Sequence, residues 1–331
     1  MRGDFETAGL KAALERSLGF GLKSLIRLDG AKAFNFRAER ESDGFLFAVK
    51  CSPKSRQVMF DHLVAHLREM EGTKAVKRLF AAECPPVFRG FNVICLSWCA
   101  GERKFPDELT EPQLIALLDD YREFSAAMQK ATGIAPHDPM LAWHEAALAN
   151  CRGIAGRGLR KLIERELPAE GVTYRKELLK TVHGDFHHGN FLFVEGTVSG
   201  FLDLEEFCEG YPADDLVRYF VCAAEHLKGF GVFRLGRILE RFAAAVRHLP
   251  YSREEWEVAI NCLLLKKVYM KVKDGSVGFA RAANLLFRAR LYRRMKRIVR
   301  KLEKELQEKG LVAGVALPCA GAAHAGARRN A

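Results

Sequence analysis

Asp185, Asn190 and Asp203 are the side chains in this sequence best placed to do chemistry together. Asp185 and Asn190 lie in the run Thr181-Val182-His183-Gly184-Asp185-Phe186-His187-His188-Gly189-Asn190. Asp203 follows two apolar, strand-like pieces, 191–194 and 200–202, which flank a turn at Glu195-Gly196. Folding those pieces into a hairpin brings Asn190 and Asp203 side by side. An amide oxygen and a carboxylate at one point suit Mg²⁺, which takes few protein oxygens and fills its shell with water and phosphate. Asp185 then sits at the rim, where it can accept a proton from a substrate hydroxyl. This arrangement is what phosphoryl transfer needs, because the protein's task there is mostly to position groups and neutralise phosphate charge. A single polar turn whose Asp and His cap helices would present similar residues, so the reading rests on the whole set.

The elements that must carry these residues follow from hydrophobic period. Residues 5–27 predict a short helical lead-in. Phe34, Phe36 and Ala38 alternate with Asn35, Arg37 and Glu39, the period of a half-buried strand. Ser42-Asp43-Gly44 is a turn, Phe45 to Val49 completes a hairpin, and Pro53 is expected to break the strand. Ser55 is a plausible N-cap for a helix whose apolar stripe is Met59, Leu63, Leu67 and Met70. After Pro85-Pro86, the segment from Phe91 to Trp98 reads as an apolar strand ending at Ala100-Gly101. From Leu109 onward helical spacing dominates, ending in a helix over 278–309. The order predicts an α+β fold with two lobes, a small β-rich N-lobe over 1–100 and a larger, mainly helical C-lobe over 101–309. An Ala/Gly-rich tail over 310–331 is expected to be disordered.

Three motifs occur in fixed order: His183-Gly184-Asp185-x-His187-x-x-Asn190, Phe201-Leu202-Asp203-x-Glu205-Glu206 and Gly210-x-Pro212-x-x-Asp215-Leu216. Together they resemble the aminoglycoside phosphotransferase/choline kinase family, small-molecule kinases with a protein-kinase-like bilobal fold. The resemblance implies that Asp185 is the catalytic base, that His183 braces its loop, and that Asn190 and Asp203 bind Mg²⁺. It also implies that Asp215 ties down the following helix. The sequence departs from the pattern at His188, where proline is frequent.

The same resemblance calls for an ATP-binding lysine on a small-lobe strand, and Lys50 in Phe47-Ala48-Val49-Lys50 fits. Its acidic partner is expected on the next helix, where Asp61 fits the family's position better and Glu69 has the longer reach. Gly30 resembles a phosphate-covering turn, and backbone groups of the connection from Ser97 through Trp98 and Cys99 are expected to meet adenine. The implied activity is ATP-dependent transfer of the γ-phosphate to a hydroxyl of a small molecule or sugar. Two alternatives remain: a kinase of a lipopolysaccharide-like envelope glycan, and a catalytically inactive kinase-like binding protein.

Composition bounds these readings. Of the formal net charge of +11, nearly all falls in residues 281–331, which hold thirteen Lys/Arg against three acids. The helix over 281–309 therefore has two readings: a final packed helix with a solvated basic face, or a dock for an anionic membrane or acidic glycan. Nucleic acid is disfavoured because no aromatic-interleaved motif accompanies the charge. No apolar run approaches the ~20 residues of a membrane span, and Met1 to Glu6 do not read as a secretory signal. Nine scattered Cys without a CxxC pair point to a reducing cytoplasm, with peripheral contact at the inner membrane face as an option. Cys95 and Cys99 read as core. His62 and His66, four apart on a helix, read as surface residues because a third metal ligand is missing.

Overall fold

The computed structural model describes residues 6–28, 34–73, 87–226, 231–273 and 279–309. Gly30 and the 310–331 tail lie outside the described residues, as does Pro85-Pro86. The chain begins with helix α1 (Thr7–Leu18), followed by strands β1 (Leu22–Leu28), β2 (Phe34–Arg40) and β3 (Leu46–Pro53). Helix α2 (Gln57–Glu69) and strand β4 (Phe91–Ser97) complete this part. The four strands form one antiparallel sheet in the order β1-β2-β3-β4. β1 is a correction to the helical lead-in: α1 ends at Gly19 in the left-handed region, and Leu22–Leu28 is recruited into the sheet by pairing with β2. As expected, the strand ends at Pro53. It is the last residue of β3, where it pairs with Phe91 at the end of the ladder and its missing N–H costs little. Ser55 lies in a single 3-10 turn, and α2 starts two residues later.

The sheet's two faces serve two different cores. Phe47, Val49 and Cys51 of β3, with Val93 and Cys95 of β4, pack against Leu10 and Leu14 of α1. The alternate residues Ile94 and Leu96 join Leu63 and Leu67 of α2, and Met70 just after it, in the large core that continues into the helical part. Period-2 alternation forces this split, since neighbours on a strand point to opposite faces. Lys50 stands opposite Ile94 on the second face, which turns its ammonium towards the helical part.

That part contains α3 (Glu111–Met128), α4 (Met140–Asn150), α5 (Gly153–Glu166), α6 (Pro212–Glu225), α7 (Gly231–His248), α8 (Arg253–Val272) and α9 (Phe279–Glu308). Between α5 and α6 lie four short strands: β5 (Lys180–Val182), β6 (Phe191–Val194), β7 (Thr197–Phe201) and β8 (Cys208–Gly210). β5 pairs with β8, and β6 with β7. Sequence-coded caps delimit two helices: Thr110 with Gln113 opens α3, and Ser252 with Glu255 opens α8, each as a reciprocal capping box. The predicted last helix is α9. Its cations act largely as ties: Arg293 and Lys296 reach Glu166 of α5, Arg300 makes two bonds to Glu257 of α8, and Arg288 reaches Glu225 of α6. Cys51, Cys95, Cys99, Cys151, Cys208, Cys222 and Cys262 are not in disulfides. Among the described residues no helix is long and apolar enough to cross a membrane.

Candidate functional site

The segment between β5 and β6 is a loop, so backbone ladders cannot fix Asp185. A buried polar network does so instead. Asp215 of α6 accepts the N–H of His183 at 2.8 Å and that of Gly184 at 3.1 Å, and the Tyr121 hydroxyl at 3.0 Å. Burial raises the Asp215 pKa against the pull of His183 and Arg218. His183 is fully buried. Its Nε2 donates to the carbonyl of Leu202 at 2.8 Å, and its Nδ1 accepts the N–H of Asp185 at 3.3 Å. These partners assign the ring proton to Nε2. Gly184 has φ +77°, and a Cβ there would lie 2.2 Å from the carbonyl oxygen of Glu206. This position therefore requires glycine.

The hairpin prediction holds. Phe191 faces Phe201, and the backbone N–H of Leu202 bonds the carbonyl of Asn190 at 2.7 Å. This places Asn190 beside the strand end that carries Asp203. The Asn190 Nδ2 donates to the carbonyl of Asp185 at 2.9 Å and lies 3.5 Å from its Oδ2, which leaves the Asn190 Oδ1 as the atom for a cation. Asp203 takes φ 55°, in the left-handed region, and opens a 3-10 turn, Leu204–Glu206. From the sheet, the Lys50 Nζ reaches Asp203 at 3.0 Å and Glu205 at 2.6 Å. Burial disfavours the Lys50 charge, but the two carboxylates outweigh it and its pKa is raised. Lys50 thus meets Asp203, Asn190 meets Asp185, and the backbone bond from Leu202 to Asn190 sets the two pairs on one hairpin, as a group of four side chains. An amide oxygen and carboxylates are the donor set of a hard divalent cation.

Asp185 has two further neighbours that the sequence reading missed. Arg218 of α6 donates to its Oδ1 at 3.1 Å, and His187 Nε2 lies 3.6 Å from its Oδ2. His187 Nδ1 accepts the N–H of Gly189, so the proton faces Asp185. Burial pushes the Asp185 carboxyl up, yet His187 and Arg218 together hold it well below the usual carboxylate range. Arg218 follows Asp215 by three residues, one helical face, and that spacing was its only signal in the sequence. His188, at the departure from the family pattern, packs its ring against Phe105 with centroids 3.9 Å apart. Burial, followed by the nearby charges, lowers its pKa to about 4, so it is neutral near pH 7.

Several expectations need correction. Lys50 takes neither helical acid. Asp61 is on the exposed face of α2 and accepts from Gln57 one turn earlier, while Glu69 binds the backbone and hydroxyl of Thr132. The acid beside Lys50 is Glu205, carried from the other side of the cleft. His66 is not a surface residue. It is 1% exposed, with Nδ1 2.9 Å from the carbonyl of Leu204 and Nε2 3.1 Å from that of Thr132, and it stacks on Phe207. It links α2 to the turn that follows Asp203. Ser97 ends β4 opposite Phe47, and Cys99 is buried in the connection beyond it. That connection closes where Glu102 and Phe193 exchange backbone hydrogen bonds, each at 2.9 Å.

The phosphotransferase enzyme family matches residues 52–246, more than half of the chain, including every side chain of this group except Lys50, which lies two residues before the match. The chain belongs to that family.

Solved structures give the same fold for this phosphotransferase. It is similar to a macrolide 2′-phosphotransferase from Brachybacterium faecium, at 14% identity and a TM-score of 0.58, over 87% of this chain and 97% of that one. A spectinomycin phosphotransferase in complex with ADP and spectinomycin matches at 12% identity and 0.57, over 91% and 100%. An amicoumacin kinase in complex with AMP-PNP, Ca²⁺ and Ami matches at 14% and 0.54, over 89% and 94%. At these identities the likeness speaks to the protein-kinase-like fold alone. No curated protein sequence matched.

Proposed function

We propose that this phosphotransferase transfers the γ-phosphate of ATP to a hydroxyl group of a small-molecule acceptor. The observation that carries the reading is the meeting of Lys50 with Asp203 at 3.0 Å, next to the Asp185–Asn190 pair. Asp185 orients the acceptor hydroxyl and accepts its proton. Its depressed pKa keeps it anionic, and a weak base suffices because the transition state is loose and the proton leaves late. Lys50 offers its ammonium to the nucleotide phosphates in place of the Asp203 carboxylate, while Glu205 keeps it charged and aimed. Asn190 and Asp203 would hold Mg²⁺, which when bound neutralises phosphate charge. His183 and Asp215 keep the loop in register with β7. The nucleotide complexes of the amicoumacin kinase and the spectinomycin phosphotransferase support an adenine nucleotide as the donor.

The test is ADP release from Mg–ATP across a panel of amino alcohols, sugars, antibiotics and saccharides. With the acceptor so found, Asp185→Asn and Asp203→Asn should each lower kcat by about 100- to 10,000-fold with unchanged melting temperature. Wild-type turnover in either variant would remove the role given to that residue.

A further inference from the structure

One face of α6 runs from the catalytic loop to a cluster of charged side chains. Asp215, Arg218, Cys222 and Glu225 are spaced three, four and three residues apart, so they form a single stripe. Asp215 holds the catalytic loop and Arg218 touches Asp185, so the stripe leads away from the reacting centre. Glu225 stands seven residues past Arg218, about 10 Å along the helix axis. There a single carboxylate is shared by two cations. Lys267 of α8 lies 3.0 Å from its Oε2, and Arg288 of α9 lies 2.5 Å from its Oε1. The Lys267 and Arg288 side chains are 29% and 24% exposed, so both are reachable from water. Burial raises the Cys222 thiol, which adds no charge between them.

This corner therefore carries one positive charge more than its carboxylate balances. Of the nearby carboxylates, Asp185 is engaged by Arg218, Asp215 by two backbone N–H groups and the Tyr121 hydroxyl, and Asp138 by Lys266 at 2.6 Å. A cationic acceptor would have to displace one of these pairs, whereas an anion could add to Lys267 and Arg288 directly. We infer that the acceptor of this phosphotransferase is an anionic hydroxyl compound, carrying a carboxylate or phosphate that Lys267 and Arg288 bind while its hydroxyl lies at Asp185. The inference rests on the kinase reading for the position of that hydroxyl.

The test is calorimetric titration of full-length protein with glucose, glucosamine, glucuronate and glucose 6-phosphate, with Mg–AMP-PNP filling the nucleotide site. At least one anion should bind about tenfold or more tighter than glucose, with glucosamine weakest; whichever anion binds tighter identifies carboxylate or phosphate. Lys267→Gln should weaken the anion about tenfold. Glu225→Gln removes the competing carboxylate and should strengthen it, whereas a merely structural role would weaken binding in both variants. The folded state of each variant is checked by its melting curve. Preference for glucosamine, equal binding of all four, no binding of either anion at millimolar concentration, or shifts of the same sign in the two variants would overturn the inference. AMP-PNP binding is read in the same cell. Its failure would strike the kinase reading and with it the placing of the hydroxyl at Asp185, while the titrations repeated without nucleotide would still carry the charge test.

Discussion

Lys50 and Asp185 reach the same cleft on supports of opposite kind. Lys50 is on an inner strand, paired on one side with Asn35 and on the other with Ile94. Its direction is set by backbone hydrogen bonds and by the burial of Phe47, Val49 and Cys51 on the opposite face. Asp185 has no ladder beneath it. It depends on Asp215, His183 and Tyr121, polar side chains buried in the large core. A strand position survives change at any one neighbour, because many equivalent bonds share the task. A loop position held by a few specific bonds does not, because each lost partner leaves a buried polar group unpaired.

Breaking the sheet support should have the largest effect on stability. Phe47→Ala empties the small core and should cost about 3–5 kcal/mol. Nucleotide affinity should fall with it, while near-ultraviolet signals from the helical part persist. Loss of both together would show that the two cores melt as one. Next comes Gly184→Ala. The left-handed backbone and the clash with the Glu206 carbonyl should cost about 1–3 kcal/mol, read as a lower melting temperature together with a fall in kcat.

A pH effect should follow in size, confined to the loop's support. Asp214 is half-buried at the start of α6, where it accepts from the Tyr211 N–H and the Tyr174 hydroxyl. Burial, the dominant influence, pushes its pKa up to about 7. The folded protein therefore keeps a proton that the unfolded chain has released, so stability falls as pH rises from about 4 to about 7 and is level above that. Asp214→Asn should flatten the fall in a series of melting curves; an unchanged slope would assign it to other groups. The smallest effect is expected for Tyr121→Phe, about 1 kcal/mol, because Asp215 keeps its two backbone donors. A loss several times larger would mean that the hydroxyl organises the network.

Much of the site was legible because its chemistry lies close together in the chain. His183, Asp185, Asn190 and Asp203 follow one another closely, and a tight hairpin brings Asn190 beside the strand end that carries Asp203, although the loop of Asp185 also needs Asp215 and Tyr121. Lys50 was legible from strand alternation. β1 was not, because Leu22, Leu25 and Ile26 fall at helical rather than alternating spacing, and the segment becomes a strand by pairing with β2. The carboxylate partner of Lys50 was misassigned to Asp61 or Glu69 because the chain suggests the nearest helix. The structure uses Glu205, from a turn far along the chain in the other half of the molecule. His66 was misread for a related reason. Its spacing resembles a surface pair, and its burial depends on Leu204, Thr132 and Phe207, which folding alone brings to it.

The sequence by itself determined the local devices: the β2–β3 hairpin, the capped helices, and the loop-and-hairpin order that sets Asp185, Asn190 and Asp203 in register. Local hydrogen bonding and side-chain alternation act over a few residues, and a linear pattern records them directly. Only the tertiary structure decided which charges meet. Lys50 with Glu205, Asp185 with Arg218 and Glu225 with two cations are each chosen by the packing of separate elements, and the energy of a charge depends on what surrounds it in space.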